Sequence, residues 1–562
     1  MSRLKRPLIR LFFFLPAIVF FLFLLIVFIN PSFYAKRDFL SLRLSTDPKS
    51  FNPILAKETS TTAITSFLFL GLLSKDPETK QMRPELARSW QVLDNGLRYR
   101  FHLKKGLKWS DGEPITADDV VFTFNDLIYN PDIPNSASQV FLINGRPIEV
   151  KKIDDLTVDF LLPDIFAPFL KAMSQEIMPD HALRRFVENK SFNSAWGLAS
   201  DEKDIVCSGP YIIDCYEPGQ FVELKANKYY YKKGLPKIKR LRMRIIQSDD
   251  VALLKFLEGE IDIISIRPCD FYFVKSRAGK RDFSIIELGA GTGSTFITFN
   301  QNPSARIDKY KRDWFSDLRF RKAVAYAIDR KGIIDTVFCG LGLPQYGPMS
   351  EAEGFFFFSD VQKYPYSIER AISLLEEMGF SDSNKDGILE DNQGRQLEFT
   401  LITNSNSQER VRVGSIIATD LKKIGMMVHF APIDFNNLVS RLTGSYDWEA
   451  VLIGLTGGEE PHFGANVWLS NGPLHLWNPL QSGPASEYEK EIDEIFSKAV
   501  RELDRDKRKL LYDKWQRIVS ENLPVIYTVL PMQIYGINNR VKNIKPLKDM
   551  GVLYNIEELE LE

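Results

Sequence analysis

Two adjacent carboxylates and two imidazoles fall in one stretch of this chain. They are Glu459, Glu460, His462 and His475, between Gly454 and Asn478. Carboxylate beside imidazole is a donor set suited to nickel or zinc. A carboxylate alone is the partner that a buried ammonium needs, because an unpaired buried charge costs several kcal/mol. Spacing defines no metal site here, and histidines outside any site are the plainer reading. Hydrolytic chemistry asks for a GxSxG elbow or an HExxH helix, and neither occurs. Adjacent carboxylates such as Glu459-Glu460 are ordinary in loops, so no catalytic residue is assigned.

A second cluster is Asp382-Ser383-Asn384-Lys385-Asp386-Gly387. Asp, Asn and Asp at positions 1, 3 and 5, with Gly at 6, resemble a calcium loop. Position 12, which such a loop fills with a bidentate Glu, is Gln393. The missing ligand favours a plain Asx-turn loop, and no metal or cofactor is assigned. The four cysteines show no zinc spacing. Cys207 and Cys215 flank one short segment, placed to bridge if the compartment is oxidising. Buried free thiols are the plainer reading, since Cys is among the most buried residue types.

The elements that must position such groups are legible in places. From Leu97 to Leu103, Leu97, Tyr99, Phe101 and Leu103 alternate with Arg98, Arg100 and His102. That period of two predicts a half-buried strand. Thr116, with Asp119 three residues on, predicts a capped helix whose inward stripe is Val120, Phe124, Leu127 and Ile128. Ser248 and Gly259 bracket a short helix. Ser367 opens another that ends at Gly379. Ser486-x-x-Glu489 is a capping box. A helix over about 505–520 is expected to turn Leu510, Leu511, Trp515, Ile518 and Val519 inward. Strands alternate with helices throughout, which points to an α/β fold with mixed sheets.

The totals narrow the class. At 562 residues, 44% hydrophobic and 26% charged, the chain is long enough for several domains. A formal net charge of −1 gives no field favouring nucleic acid. Aromatic residues make up 12% of the chain, which suits a roomy apolar cleft as well as a core. Arg3, Lys5, Arg6 and Arg10 precede an uncharged apolar run from Leu11 to Ile29. As a helix it spans roughly 28 Å at about 1.5 Å per residue, close to a bilayer core of about 30 Å. Its length and a poor cleavage site near Ala35 favour an uncleaved anchor over a signal peptide. The positive-inside rule then puts everything after residue 36 outside the cytoplasmic membrane.

PELARSW…DNG…YRFHLKKGLKWSDGEPITADDVVFTF, from Pro84 to Phe124, resembles the signature of the family 5 extracytoplasmic solute-binding proteins. These are the dipeptide-, oligopeptide- and nickel-binding receptors of ABC importers. The likeness continues in order: Cys207-Ser208-Gly209-Pro210-Tyr211 with Glu217-Pro218-Gly219, then LLKFLEGEIDII, then the helix Asp317 to Arg330, then PQYGP at 344–348. The resemblance implies a two-lobed, type II periplasmic-binding-protein-like α/β fold with an extra subdomain in lobe one. The expected division is 1–38 for the anchor or signal segment, 39–295 for lobe one, 296–529 for lobe two and 530–562 for the return to lobe one. It implies a receptor, not an enzyme, that captures peptide by hinge closure. A metal chelate, such as nickel, or a sugar is the alternative ligand. The expected partners are ABC permease subunits, met by a monomer, with no nucleic acid.

The resemblance also implies a ligand site. In the peptide receptors an Asp pairs with the peptide's α-ammonium; aligned on Pro461, that position is Gly457. Glu459 or Glu460 is then expected to take the ammonium over, or the amine goes unread. The pocket expected on this basis is Phe296, on the strand that crosses between lobes, with Thr456, Gly457, Glu459, Glu460, His462 and Trp468.

Overall fold

The computed structural model describes residues 37–562, apart from 57, 136 and 144. The expected anchor lies outside the described residues. Among these, no helix is long and apolar enough to cross a membrane.

Two mixed sheets organise the chain. The first runs in the spatial order Tyr211–Glu217, Phe221–Ala226, Arg240–Ile245, Leu40–Leu44, Ile263–Ser265, Val529–Asn538, Phe283–Ala290. Leu40–Leu44 lies parallel to its neighbours, and the rest pair antiparallel. The second sheet runs Met427–Ile433, Glu398–Asn404, Ala450–Leu455, Ser294–Phe299, Val525–Tyr527. Each sheet has its own buried apolar core. The chain passes from the first sheet to the second through Gly291–Gly293 and returns at Thr528. Thr528 donates its N–H to Thr295 across the return at 2.9 Å.

The alternating stretch forms the strand Arg98–Leu103 in a separate antiparallel sheet with Ala87–Leu93, Thr157–Leu161 and Glu149–Asp154. Tyr99, Phe101 and Leu103 are buried on one face. Leu97 is not: it adopts a helical backbone angle in the turn before the strand and stays exposed. Thr116 and Asp119 form the reciprocal capping box. The helix Arg505–Asn522 corrects the expected stripe. Trp515, Ile518 and Val519 are buried as expected, but Leu510 is 70% exposed, and Arg508 and Tyr512 take the inward positions before them. Arg508, Tyr512, Trp515 and Val519 follow the 3.6-residue period along one face.

Cys207 and Cys215 are free thiols, as the plainer reading expects of them, and the bridge that forms joins the other two cysteines. Cys207 is fully buried and free; its thiol donates to the Ile205 carbonyl at 3.4 Å, and burial holds it well above the ordinary thiol range. Cys215, free and half-buried, sits on the strand Tyr211–Glu217. The disulfide joins Cys269, beside the first sheet, to Cys339, just after the helix Arg330–Val337. It spans 70 residues. Closing a loop of that size restricts the unfolded chain, so its removal costs about 2–4 kcal/mol. The double variant Cys269→Ser/Cys339→Ser is therefore expected to unfold at lower urea with an unchanged fold at zero urea, as read by circular dichroism.

Candidate ligand-binding site

A cavity of about 420 Å³ opens beside the crossing segment. That size accepts a small ligand. The strand Ser294–Phe299 contributes Phe296, whose ring meets Tyr527 edge-on at 5.9 Å. The return strand supplies Val525 and Tyr527; the irregular stretch after Leu455 supplies Thr456 and Gly457. A short helix, Ala465–Trp468, presents Trp468, which packs on Trp515 at 5.1 Å and on Trp477 at 5.8 Å. The Trp515 indole N–H is buried on this wall, with no acceptor among the described residues.

The expected site residues separate. Phe296, Thr456, Gly457, Glu460 and Trp468 line the cavity; Glu459 and His462 do not. Glu459 is turned toward the first lobe, 2.6 Å from Lys75 and 3.0 Å from Lys171. Burial alone would raise its carboxyl, but Lys171 and Lys75 outweigh it and hold Glu459 below the ordinary range. Glu460 is buried and paired with Arg508, while burial pushes its carboxyl upward. Both carboxylates expected to receive an ammonium therefore already have cations. His462 packs between Phe166 and Phe496. Burial first, and the Arg508 charge second, push it down to about 4, so it is neutral near pH 7. His475 lies in the core against Val467 and Glu489. The two imidazoles and the two carboxylates thus do not converge on one metal.

One carboxylate on the wall was missed: Glu353. Ser350 and Glu353 cap each other around a short turn just beyond the Pro-rich loop. One Glu353 oxygen accepts the Ser350 N–H, and the other accepts the Gly458 N–H at 2.9 Å. An ideal Cβ on Gly457 would stand 1.8 Å from the Glu353 carboxylate and 2.3 Å from the Gly293 amide. No side chain fits at 457, so a carboxylate reaches this place from another segment. Burial lifts Glu353 up to about 7, against the pull of the Ser350, Gly458 and Gly293 amides. Among the described residues no Lys, Arg or His forms an ion pair with it. The only sequence signal was Ser350-x-x-Glu353, which reads as a cap.

Two α/β lobes joined by two crossing segments, with an aromatic cavity beside the crossing, define a type II periplasmic-binding-protein fold. The family model described as bacterial extracellular solute-binding proteins, family 5 Middle, matches residues 81–473, and the chain belongs to that family. A probable ABC transporter-binding protein of Deinococcus radiodurans is 30% identical over 526 residues, covering 88% of this chain and 87% of that protein. The oligopeptide-binding protein AppA of Bacillus subtilis, solved with a nonapeptide, superposes with a TM-score of 0.77 at 25% identity, covering 93% of this chain and 98% of that one. NikZ of Campylobacter jejuni, solved with Ni(L-His), has the same fold, with a TM-score of 0.77 at 24% identity and coverage of 94% and 100%.

Proposed function

We propose that this solute-binding protein captures a peptide, or a small solute carrying a primary ammonium, with the ammonium on Glu353. The observation that carries the reading is a buried cavity carboxylate with no cation partner among the described residues. A ligand ammonium supplies the counter-charge that burial demands. The orphaned Trp515 N–H suits a carbonyl of the same ligand, since a buried donor left unmade costs about 1–3 kcal/mol. Phe296, Tyr527 and Trp468 suit its apolar body.

The chain acts as a receptor without catalysis. It delivers its solute, as a monomer, to ABC permease subunits, from a position on the outer face of the cytoplasmic membrane. The run from Leu11 to Ile29 supports a tether there, which would raise the receptor's effective concentration near the permease. The order of the family motifs supports lobes divided at 39–295, 296–529 and 530–562.

The test is a native mass spectrum of the full chain for copurified ligand, then calorimetry with the identified peptide and its N-acetylated form. The expected result is binding that acetylation weakens by at least about 30-fold, the loss of a charged partner at about 2 kcal/mol or more. Equal affinity for both forms would refute ammonium recognition and leave a receptor for another solute.

A further inference from the structure

The acidic loop 382–390 of the second lobe holds an unsolved charge problem. Asp382, Asp386 and Glu390 each bring a carboxylate oxygen to within 4.8 Å of the others. Donors at about 2.3–2.6 Å from a common calcium stand at most about 4.6–5.2 Å apart, so this spread fits one ion. Asp382 and Asp386 are the first and fifth positions of the pattern, and Glu390 is the ninth.

Glu390 is the decisive group. It is only 4% exposed. One oxygen accepts the Ser383 N–H at 2.9 Å and the Ser383 hydroxyl at 2.8 Å. The other oxygen is buried and accepts no hydrogen bond among the described residues. No basic side chain there pairs with this carboxylate. The nearby Arg395 is engaged by Asp391, with Nε–H donating at 2.7 Å. A carboxylate oxygen buried without a partner is costly, and a cation bound to it removes the cost.

The chain brings Glu390 in by a route the linear pattern hides. Ser381 and Glu390 exchange two backbone hydrogen bonds, at 2.9 and 2.8 Å, and close the loop into a short hairpin. The hairpin returns Glu390 beside the Asp pair three residues before position 12. The Gln393 that argued against a metal is therefore not the residue facing the site.

We propose that Asp382, Asp386 and Glu390 bind one calcium ion. All the charged donors are oxygens, which excludes the nitrogen- and sulfur-seeking metals. Magnesium asks for near-ideal octahedral geometry and sheds water reluctantly, which a loop of side chains spread over 4.8 Å serves poorly. Without a bidentate Glu at position 12, the affinity falls in the weak class of extracellular modules, about 10⁻⁴–10⁻³ M. None of these residues lines the ligand cavity, so the ion stabilises the second lobe and does not touch solute.

The test uses the full chain in detergent, stripped with a chelator and titrated calorimetrically with calcium chloride, with melting followed in parallel. The expected result is one saturable site with Kd of about 10⁻⁴–10⁻³ M and a melting temperature that rises with calcium. Magnesium is expected to bind at least about tenfold more weakly. Asp386→Asn and Glu390→Gln are expected to lose the calcium response. Asp386 is exposed, so Asp386→Asn decides the matter if Glu390→Gln does not fold. Absence of heat and of any melting shift at calcium about ten times above the expected Kd would overturn the proposal. So would an undiminished response in Asp386→Asn, which would mean ions bound elsewhere. An equal response to magnesium would overturn the assignment to calcium.

Discussion

Glu353→Gln is expected to cut the affinity for an amine-bearing ligand by about 2–5 kcal/mol, roughly 30- to several-thousand-fold. That is the cost of truncating one partner of a buried charge pair. The pH profile gives the test its sign. In the free protein Glu353 titrates at about 7, raised by burial. A bound ammonium favours the carboxylate, so the pKa falls in the complex and binding releases a proton below pH 7. Affinity is therefore expected to fall as pH drops below about 7, by up to tenfold per unit, and to level above it. A peptide α-amine loses its own proton near pH 8, which places the optimum between about 7 and 8. In Glu353→Gln the acid limb vanishes. Calorimetry in buffers of different ionisation enthalpy reads both the affinity and the proton. A variant that kept wild-type affinity and the same acid limb would exclude Glu353 as the ammonium partner. The same raised pKa acts on stability with the opposite sign. The folded chain is expected to lose stability at this group as pH rises from its ordinary 4.5 to about 7, and Glu353→Gln removes that slope.

Glu489→Ala is expected to destabilise the fold by about 3–5 kcal/mol, the range for breaking a buried charged cluster by removing one member. One Glu489 oxygen receives the Trp477 indole N–H at 2.9 Å and lies 3.2 Å from His475 Nε2. The other accepts the Ala485 and Ser486 amides at 2.7 and 3.1 Å. Burial, the largest single influence, pushes this carboxyl up; the donors together outweigh it and hold it down to about 2. A depressed carboxyl stabilises the fold above its ordinary 4.5, and that contribution is lost as pH falls toward 2. The shift corresponds to about 3 kcal/mol. Urea melts at pH 7 and pH 3 check it: wild type loses stability between them, and Glu489→Gln loses much less. An equal pH dependence in the two would show that the acid sensitivity lies elsewhere. The consequence reaches the cavity, because Trp477 packs on Trp468 and His475 Nδ1 meets the Val467 carbonyl at 3.1 Å. A weakened cluster loosens the aromatic wall, so ligand affinity is expected to fall along with stability.

The sequence alone determined what is decided within a few residues. The alternation from Arg98 to Leu103, the Thr116–Asp119 box and the Ser486–Glu489 box are local hydrogen-bonding and periodicity problems, and the folded chain solves them as their letters specify. The ordered motifs also determined the family. What lay beyond reach was every contact between distant segments. Glu353 meets Gly458 across 105 residues, and nothing in either stretch announces the other. Glu459 looked free until Lys75 and Lys171 arrived from the first lobe. The turn of the helix Arg505–Asn522, which buries Tyr512 and exposes Leu510, also brings Arg508 onto Glu460 from 48 residues away. Cys269 found Cys339 instead of the nearer pair closing. Each of these depends on which charges and apolar faces share one small volume. That is a property of packing in three dimensions, where a buried carboxylate's role is set by the counter-charge the fold brings or withholds.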